Sequence, residues 1–470
     1  MNTETIRLVK PAERIRLGVG KYRRLKRSQD LIETIAWASV VFVTATFLFD
    51  GGLNNLTDTA AVLGAVSRLT ALVATDLLLI QTLLVARVPW LDRLYGHDRT
   101  TIAHKKLGKP VLYIVIAHFL ASLTQYSILE GKNLVDELFS MAASSMDLFW
   151  SMVAFAAMLV VVVTSIKIAR AKLSYEAWYL VHLIAYVSLI AAVPHIFSTG
   201  SDVAGKPVQT AYWIALYAFV AGNVLWFRFA RPIVNMFKHS FRVIRVQSES
   251  SDTASIYIGG KNMHKLTANA GQFYLLRVMT PKQWWRPHPF SLSAAPNEDY
   301  VRFTVGDRGD DTSLLQNLKV GTKVMLEGPY GVFTEERRTK EKVTLIAAGI
   351  GVPPIRALAE SMVGKPGDIT IIYRTRDNED AALLNELSQI ADVRGHELRV
   401  LEGPRANPKS WLPAGHGNIA DFQRVKLIAP EIEESDVFIC GPVAWTRSVE
   451  KSLHQLGLDA KQIHAEEFAW

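Results

Sequence analysis

Cysteine is nearly absent from the sequence: Cys440 is the one thiol among 470 residues. A single thiol excludes an intrachain disulfide, and it excludes an iron–sulfur cluster held by several thiolates. Charged residues are also scarce, at 20% of the chain against 49% hydrophobic residues. The formal net charge is +8, but the excess lies beside apolar segments, so nucleic acid is not the expected partner.

Long apolar runs fill the first half of the chain, whereas residues 236–470 have the composition of a soluble protein. Six of these runs approach the roughly 20 residues that a helix needs to cross a bilayer. We expect spans near 32–49, 62–86, 104–125, 148–168, 177–197 and 211–230. No cleavable signal peptide is evident, because the basic first 30 residues lead into a run long enough to span.

Lysine and arginine are concentrated in alternate segments between the apolar runs. Nine precede Asp30, six lie in the loop 87–109, and three lie around 167–172. The other three loops hold none, one and one. The positive-inside rule therefore predicts that both termini lie in the cytoplasm.

Two pairs of histidines occupy the third and fifth expected spans. His104 and His118 are fourteen residues apart, and His182 and His195 are thirteen apart. In a helix these spacings give rises of about 21 and 19.5 Å. Because both spans run outward from the cytoplasm, each contributes one histidine near the inner surface and one further out. Two haem irons, each bound by one histidine from each span, fit this pattern.

The helical phase of the second pair is not ideal. Thirteen steps of 100° end about 140° short of four turns, so His182 and His195 do not share a face of an uninterrupted helix. Pro194 precedes His195, and we expect it to kink the helix there. Pro110 raises a similar expectation of a distorted first turn around His104.

Short alternating strands follow residue 236, and they predict a small antiparallel barrel. From Val343 the pattern changes to strand, glycine turn, helix and strand, which is typical of a parallel α/β sheet. The predicted fold is a six-helix transmembrane α-bundle followed by an antiparallel β-barrel and an α/β parallel-sheet domain. The expected boundaries are 1–30 for a basic cytoplasmic segment, 31–235 for the transmembrane domain, 236–338 for the barrel and 339–470 for the α/β domain.

Two segments of the barrel region are candidates for binding a flavin. The segment "HPFS" can lay an aromatic ring on a flavin and direct a hydroxyl towards its phosphates. The later segment "GDDTS" combines helix-capping hydroxyls with free backbone N–H groups, an arrangement suited to a pyrophosphate. A simple helix N-cap accounts equally well for Thr312 and Ser313.

Glycine turns mark a candidate nucleotide site in the α/β domain. Gly349 and Gly351, in "AAGIGVPP", let the backbone approach a ligand at the start of a helix, although the full dinucleotide fingerprint is not present. The later "CGP", Cys440–Pro442, ends a strand, where α/β folds place their ligands. For Cys440 itself, a buried structural role is the commoner one.

In their order these motifs resemble the ferric reductase and NADPH oxidase superfamily of transmembrane flavocytochromes, in its bacterial branch. The C-terminal half is similar to ferredoxin–NADP reductase. The resemblance covers nearly the whole chain and implies FAD, two haem b groups and NADPH (or NADH) as cofactors. It implies haem ligation by His104, His118, His182 and His195. It implies FAD binding by His288, Pro289, Phe290, Ser291, Gly309, Asp310, Thr312 and Ser313. It implies nicotinamide nucleotide binding by Gly349, Gly351, Pro354, Arg374, Arg376, Gly441 and Pro442.

Three further residues carry expectations about the reaction itself. The resemblance places Cys440 near the nicotinamide, and it places Trp470 over the flavin. Arg68, near the outer end of the second span, is expected to face the outer haem. The alternatives are that Arg68 extends to the outer surface or pairs with Asp76. His97, in the loop before the third span, is expected to be a surface residue.

The expected function is electron transfer from NAD(P)H through FAD and two haems to an acceptor across the membrane. The acceptor is either dioxygen, which gives superoxide, or a ferric chelate. The expected partners are the lipid bilayer of a bacterial inner membrane and this small molecule, without nucleic acid; protein partners are not specified. Two other functions stay open. One is a haem-free, membrane-anchored flavin reductase serving a membrane partner, and the other is a transporter with a nucleotide-sensing domain, whose histidines relay protons.

Overall fold

The chain divides into two compact units in the computed structural model, which describes residues 19–166, 170–281, 283–416 and 419–467 with Leu8 and Leu17. One unit, called the helical unit here, contains residues 28–91 and 98–229. The other, called the sheet unit, contains residues 1–27, 92–97 and 230–470.

Within the described residues, six helices are long and apolar enough to cross a membrane, which confirms the predicted number of spans. They are Tyr22–Phe49, Thr59–Leu84, His97–Glu130, Met146–Ser165, Glu176–Ser198 and Pro207–His239. The individual helices are α1 (Val19–Phe49), α2 (Thr59–Leu84), α3 (Pro89–Tyr95), α4 (His97–Glu130), α5 (Leu134–Ser144), α6 (Met146–Ser165), α7 (Tyr175–His182), α8 (Ile184–Ser198) and α9 (Pro207–Asn223), followed by a π-helix (Val224–Ala230) and α10 (Arg231–His239).

Prolines do not interrupt these helices where the sequence led us to expect it. The helix α4 begins at His97 and continues through Pro110, so His104 lies inside the helix rather than in a distorted first turn. Pro194 likewise lies inside α8, where the expected kink stays a prediction, and the fifth span is also interrupted at Leu183.

The interruption at Leu183 changes the relative orientation of His182 and His195. The N–H of Tyr186 bonds to the carbonyl oxygen of Leu183 at 3.0 Å, an i→i+3 bond of the 3₁₀ type. Each 3₁₀ step turns the chain by about 120° instead of about 100°. The tightened turn therefore removes part of the mismatch between the two histidines, a correction that we had expected from Pro194.

The sheet unit carries the strands. They are β1 (Arg242–Ser250), β2 (Thr253–Gly259), β3 (Phe273–Val278), β4 (His288–Ser291), β5 (Val301–Gly306), β6 (Val324–Tyr330), β7 (Lys342–Ala348), β8 (Ile369–Thr375), β9 (Glu397–Glu402), β10 (Ser435–Gly441) and β11 (Ile463–Glu467). The helices that follow α10 are α11 (Asp310–Gln316), α12 (Val352–Ser361), α13 (Leu384–Arg394), α14 (Asp421–Ile428) and α15 (Val443–Gln455).

The antiparallel half of the sheet unit is not one closed barrel in the described part of the chain. Its strands form two three-stranded sheets, in the orders β1-β2-β5 and β4-β3-β6. Isolated bridges join Arg242 to Lys323 and Leu292 to Phe303. Apolar side chains from both sheets, including Ile256, Leu276 and Phe303, share one buried core. The antiparallel strands are thus present as predicted, but they pair as two sheets.

The second half is the predicted parallel α/β sheet, with strand order β11-β10-β7-β8-β9. Leu345 of β7 and Phe438 of β10 lie in one buried core. The next residue along each strand, Ile346 and Ile439, lies in the other core. Both faces are therefore covered, as is usual for parallel sheets. The strands β8 and β9 follow β7 on one side of it in the sheet, and the later strands β10 and β11 lie on its other side. The strand order therefore reverses between β7 and β10.

Candidate functional site

The inner histidines of the two predicted pairs face each other in the helical unit. The ring centroids of His104, on α4, and His182, at the end of α7, are 6.0 Å apart, with the ring planes at 74°. A metal bound to one nitrogen of each ring at about 2 Å separates the two centroids by about 6 Å. The spacing of the inner pair therefore fits a single metal ion held between the two rings.

Both histidines of α4 donate their Nδ1–H to a backbone carbonyl oxygen of α2. The Nδ1 of His104 lies 3.0 Å from the oxygen of Gln81, and the Nδ1 of His118 lies 2.9 Å from that of Ser67. A carbonyl oxygen accepts only, so Nδ1 carries the proton and Nε2 keeps its lone pair. This is the tautomer in which a histidine binds a metal through Nε2.

The histidines of the fifth span are oriented by hydroxyl groups. The Nδ1 of His195 lies 2.6 Å from the Oγ1 of Thr199, whose hydroxyl donates to the His195 carbonyl oxygen at 2.8 Å. The Nδ1 of His182 lies 3.3 Å from the Oγ of Ser165, whose hydroxyl donates to the Val161 carbonyl oxygen at 2.7 Å. Each Nδ1 therefore lies within hydrogen-bonding distance of a hydroxyl oxygen that is able to accept from it. His195 also lies near enough to His118 for electrostatic interaction.

Arg68, which the sequence places near the outer end of the second span, binds a different acidic residue from the one considered above. Its Nε donates to the Oδ2 of Asp202 at 2.6 Å, and its Nη2 donates to the other oxygen of the same carboxylate. Its guanidinium also lies 5.3 Å from the ring centroid of Phe47. Asp76 instead accepts hydrogen bonds from Ser39 and Tyr212, both at 2.6 Å.

The predicted flavin segment His288–Ser291 forms β4 of the sheet unit. It pairs with β3, and Ser291 lies opposite Phe273. The Oγ of Ser291 is buried and has no hydrogen-bond partner among the residues that the structure describes. A buried hydroxyl without a partner is unfavourable, so this atom fits a group that a bound ligand completes. The predicted Pro289 and Phe290 lie between His288 and Ser291 on the same strand.

The segment predicted to bind a pyrophosphate begins α11, and one of its own side chains occupies the helix start. The Oδ1 of Asp307 accepts from the Oγ of Ser313 at 2.7 Å and from the N–H of Gly309 at 3.2 Å. These hydrogen bonds lower the pKa of Asp307. Thr312 donates to the Gly309 carbonyl oxygen at 2.8 Å, and Asp310 is the first residue of the helix. A carboxylate thus already caps these N–H and O–H groups.

His97 is a residue that sequence reasoning misjudged as a surface position. Its ring stacks on Tyr330 with centroids 5.5 Å apart, and it lies 6.2 Å from the ring of Phe273. The preceding Asp92 accepts a hydrogen bond from the N–H of Gly331 at 3.1 Å. The segment 92–97 therefore packs on the β3 and β6 strands, and residue spacing gave no signal of this long-range contact.

The two predicted nucleotide motifs meet at the point where the strand order reverses. Gly349 and Gly351 form a short 3₁₀ turn after β7, and Pro354 lies in the first turn of α12. Gly441 is the last residue of β10, and Pro442 precedes α15. Ligands of open α/β sheets bind at the carboxyl ends of strands at such a reversal.

At this strand-order reversal, the backbone of Cys440 packs against Gly351, and its thiol faces the core. Its side chain is fully buried in the core of the parallel sheet. Burial, with a smaller effect of Glu466, raises the pKa of the thiol well above its usual value. The thiol is therefore protonated at neutral pH. Trp470, predicted to cover the flavin, lies outside the described residues.

The two arginines that the resemblance implies for nucleotide binding have different surroundings. Arg374 is buried, and it donates to the carbonyl oxygens of Thr375, Leu401 and Gly403. Burial, followed by the charges of Arg405 and Arg376, lowers its pKa. Arg376 and Arg405 are themselves exposed. Arg405 is a third cation of this cluster that the sequence analysis did not identify.

Three family models match consecutive parts of the chain. "Ferric reductase like transmembrane component" matches residues 70–193, "FAD-binding domain" matches residues 238–334, and "Oxidoreductase NAD-binding domain" matches residues 345–451. This combination confirms the resemblance to flavocytochromes of the ferric reductase and NADPH oxidase type. With the six apolar helices, it identifies the chain as a multi-pass membrane protein.

Similar proteins cover about half of the chain. A flavohemoprotein of Chromobacterium violaceum is 29% identical over 247 residues, which are 48% of this chain and 60% of that protein. The ferredoxin reductase component of the 3-ketosteroid-9-alpha-monooxygenase of Rhodococcus rhodochrous is 26% identical over 48% of this chain and 64% of its own length. The chain thus spans less than two thirds of either relative. A crystal structure of the FAD/NAD binding domain of nitric oxide dioxygenase from Vibrio cholerae is 26% identical, with a TM-score of 0.40, over 48% of this chain and 98% of that one.

Proposed function

We propose that the protein is a membrane NAD(P)H-dependent oxidoreductase that passes electrons through FAD and two bis-histidine haems to dioxygen or a ferric chelate across the membrane. The observation that carries the haem assignment is the orientation of the four histidines. The Nδ1 of each lies against a carbonyl or hydroxyl oxygen, so Nε2 is the nitrogen left for a metal, and the inner rings stand 6.0 Å apart.

Residues of the sheet unit would hold the other two cofactors. Ser291, with its buried and unpartnered hydroxyl, would contact the flavin, and Phe290 beside it would pack on the ring. Gly349, where a Cβ would meet no atom of the described residues within 4 Å, would leave room for the nucleotide to approach the backbone at the strand-order reversal. Once bound, a flavin accepts a hydride from a nicotinamide and releases its electrons singly.

The acceptor and the orientation in the membrane are parts of the same proposal. The uneven distribution of lysine and arginine supports cytoplasmic termini in a bacterial inner membrane. The acceptor would then be reduced on the outer side, near His118 and His195. We favour dioxygen, with superoxide as the product, and a ferric chelate is the other substrate class to test.

Difference spectra and oxygen-dependent turnover test this function. Purified full-length protein should show the reduced-minus-oxidised bands of bis-histidine haem, and NADPH should reduce them under argon. NADPH consumption in air with superoxide formation would support dioxygen as the acceptor. Turnover with a ferric chelate but negligible consumption in air would instead identify a ferric reductase.

A haem-free flavin reductase serving a protein partner is the second candidate. The similarity to a ferredoxin reductase component of a monooxygenase favours it. In that case the spectrum would show flavin alone, and NADPH would reduce the flavin without any haem band. All four histidines would then need another explanation.

A further inference from the structure

A network of four buried charged side chains joins the two halves of the sheet unit. Arg302 lies on β5, Arg356 and Glu360 lie on α12, and Glu386 lies on α13. The side chain of Glu386 is 15% exposed, and the other three are 3% exposed or less. The four side chains carry two positive and two negative charges, and buried charges are tolerated when they are paired in this way.

Glu386 lies at the centre of this network and receives hydrogen bonds from both arginines. Arg302 binds it with both terminal nitrogens, at 2.8 and 2.9 Å, and the Nε of Arg356 donates to it at 2.7 Å. A paired fork of this kind fixes direction as well as distance. Burial opposes the charge of Glu386, but the hydrogen bond from Arg302 and the charges of both arginines outweigh burial and lower its pKa. The network is therefore ionised and directional at neutral pH.

The same side chains hold the backbone that follows the candidate flavin segment. Arg302 donates from Nε to the Oγ of Ser293 at 3.0 Å and from Nη2 to the Ser293 carbonyl oxygen at 2.5 Å. Glu360 accepts from the N–H of Ala295 at 2.8 Å. Ser293 and Ala295 follow Ser291 by two and four residues. The network thus fixes the chain close to the hydroxyl proposed to contact the flavin.

On its other side, the network is anchored in the helix that follows the glycine turn. Arg356 lies five residues after Gly351 and is paired with Glu360, one turn further along α12. The strand that carries Arg302 ends at Gly306, where a Cβ would stand 3.2 Å from Ile350 of the glycine turn. Two short stretches of chain therefore connect the network to both proposed ligand sites.

We propose that Arg302, Arg356, Glu360 and Glu386 are positioning residues that fix the nicotinamide relative to the flavin for hydride transfer. The inference rests on the proposed function, since it assumes that NAD(P)H and FAD occupy these two places. In that step a hydride, with its two electrons, leaves the reduced nicotinamide and adds to the flavin, so the nucleotide is oxidised and the flavin is reduced.

The energetics of buried charges favour a geometric role over a purely stabilising one. Buried ion pairs often contribute no more net stability than apolar residues of the same volume. Retaining four charges in this interior is therefore better explained by the fixed directions that they impose. A displacement of about 1 Å from productive geometry costs about 100-fold in rate, so hydride transfer is sensitive to such directions.

Glu386→Gln in the full-length protein tests the positioning role, because it removes the charge and keeps the shape. The measurement is anaerobic, single-turnover reduction of the bound flavin over a range of NADPH concentrations. We expect the limiting rate to fall about tenfold or more, with a smaller change in the Kd of the nucleotide and an unchanged flavin content. The matched control is Glu433→Gln, which removes an exposed carboxylate bound to Lys426 at 2.9 Å, and its limiting rate should be that of the wild type.

The outcomes separate this inference from the proposed function. A flavin-loaded Glu386→Gln protein with the wild-type limiting rate would overturn the positioning role, even if its melting temperature were lower. If Glu386→Gln does not fold, Arg302→Lys keeps the charge without the fork, and the same limiting rate decides. Wild-type protein whose flavin is reduced by neither NADPH nor NADH would remove the proposed function itself, and the positioning role with it.

Discussion

A Cβ on Gly351 would overlap the carbonyl oxygen of Cys440 and would stand 2.7 Å from the Cα of Gly441. The turn after β7 and the end of β10 therefore approach each other at backbone distance. This approach occurs where the strand order reverses, which is the place where open α/β sheets bind their ligands. The glycine turn after β7 and the Cys440–Pro442 segment, about ninety residues apart in sequence, are thus neighbours in the fold.

Gly351→Ala should disturb this place because its added methyl group meets backbone atoms, which cannot move aside as a flexible side chain can. We expect a loss of about 1–3 kcal/mol in stability and weaker nucleotide binding. Thermal unfolding and the KM for NADPH measure the two effects. Gly415→Ala is the control, because a Cβ there meets no atom of the described residues within 4 Å. Equal behaviour of the two variants would contradict the close approach.

The histidine assignments predict distinct losses of haem. His118→Ala or His195→Ala should remove the outer haem, and His104→Ala or His182→Ala the inner one, because bis-histidine ligation needs both rings. Flavin reduction by NADPH should survive in all four variants. Pyridine haemochrome content and difference spectra give the measurement. Full haem content in every variant would show that the ligands are other residues.

His454→Ala is the control for these variants, since His454 belongs to α15 of the sheet unit and to none of the helices that carry the four histidines. It should keep the full haem content and the wild-type rate of flavin reduction. A loss of haem from this variant would mean that haem content reports general damage rather than ligation.

Residue type and spacing were sufficient to predict the six apolar helices and the parallel sheet, whereas the ligand roles of the four histidines and of both nucleotide motifs stay predictions. Each of these signals is local, since an apolar run or a glycine after a strand constrains structure within a few residues. The correction at Leu183 was missed because it depends on a shift of backbone hydrogen bonds that proline content does not reveal. The Arg302–Glu386 contact joins residues 84 positions apart, and spacing carries no information about such pairs.

Arg374 illustrates why the chemistry of a residue does not fix its role. The resemblance implies that this cation binds the nicotinamide nucleotide. In the fold its guanidinium donates hydrogen bonds to three carbonyl oxygens, those of Thr375, Leu401 and Gly403. Those oxygens come together only when β8 and β9 pair, which a single segment of sequence cannot show.

Cofactor preference should therefore depend more on Arg376 than on Arg374. Arg376 is exposed near Arg405, so it can bind a 2′-phosphate, whereas Arg374 already donates to the backbone. We expect Arg376→Ala to lower kcat/KM for NADPH about tenfold and to change that for NADH little. Arg374→Ala should mainly lower the melting temperature. Identical kcat/KM values for the two nucleotides in the wild type would remove the argument.

The network at Glu386 predicts a dependence of stability on pH. Burial opposes the charge of Glu386, but Arg302 and Arg356 lower its pKa overall. Glutamate in an unfolded chain has a pKa of about 4.3. The stability that its charge contributes is therefore complete above that pH and is lost as the pH falls towards the lower, folded-state pKa. We expect the melting temperatures of wild type and Glu386→Gln to differ by a constant amount near neutrality and to converge in acid. A difference that stays constant down to about pH 3 would contradict an ionised Glu386.

Arg68 and Asp202 form an ion pair in the helical unit. The carboxylate of Asp202 is 7% exposed and lies 3.6 Å from Lys206, which also binds Asp50 at 2.9 Å. Arg68 keeps 35% of its side chain exposed. It can therefore hold Asp202 and still present positive charge to an anion or to an acceptor molecule.

Two substitutions separate these roles of Arg68. Arg68→Ala removes the cation, while Asp202→Asn weakens the same pair and leaves the cation in place. If Arg68 serves the acceptor, Arg68→Ala should slow acceptor-dependent NADPH consumption about tenfold more than Asp202→Asn, and neither should change flavin reduction. Consumption in air and with a ferric chelate under argon gives the measurement, with the outer-haem spectrum recorded for each variant. If both substitutions lower only the melting temperature and leave turnover unchanged, Arg68 serves only to bind Asp202, because a role towards the acceptor requires that the loss of the cation slow the acceptor step.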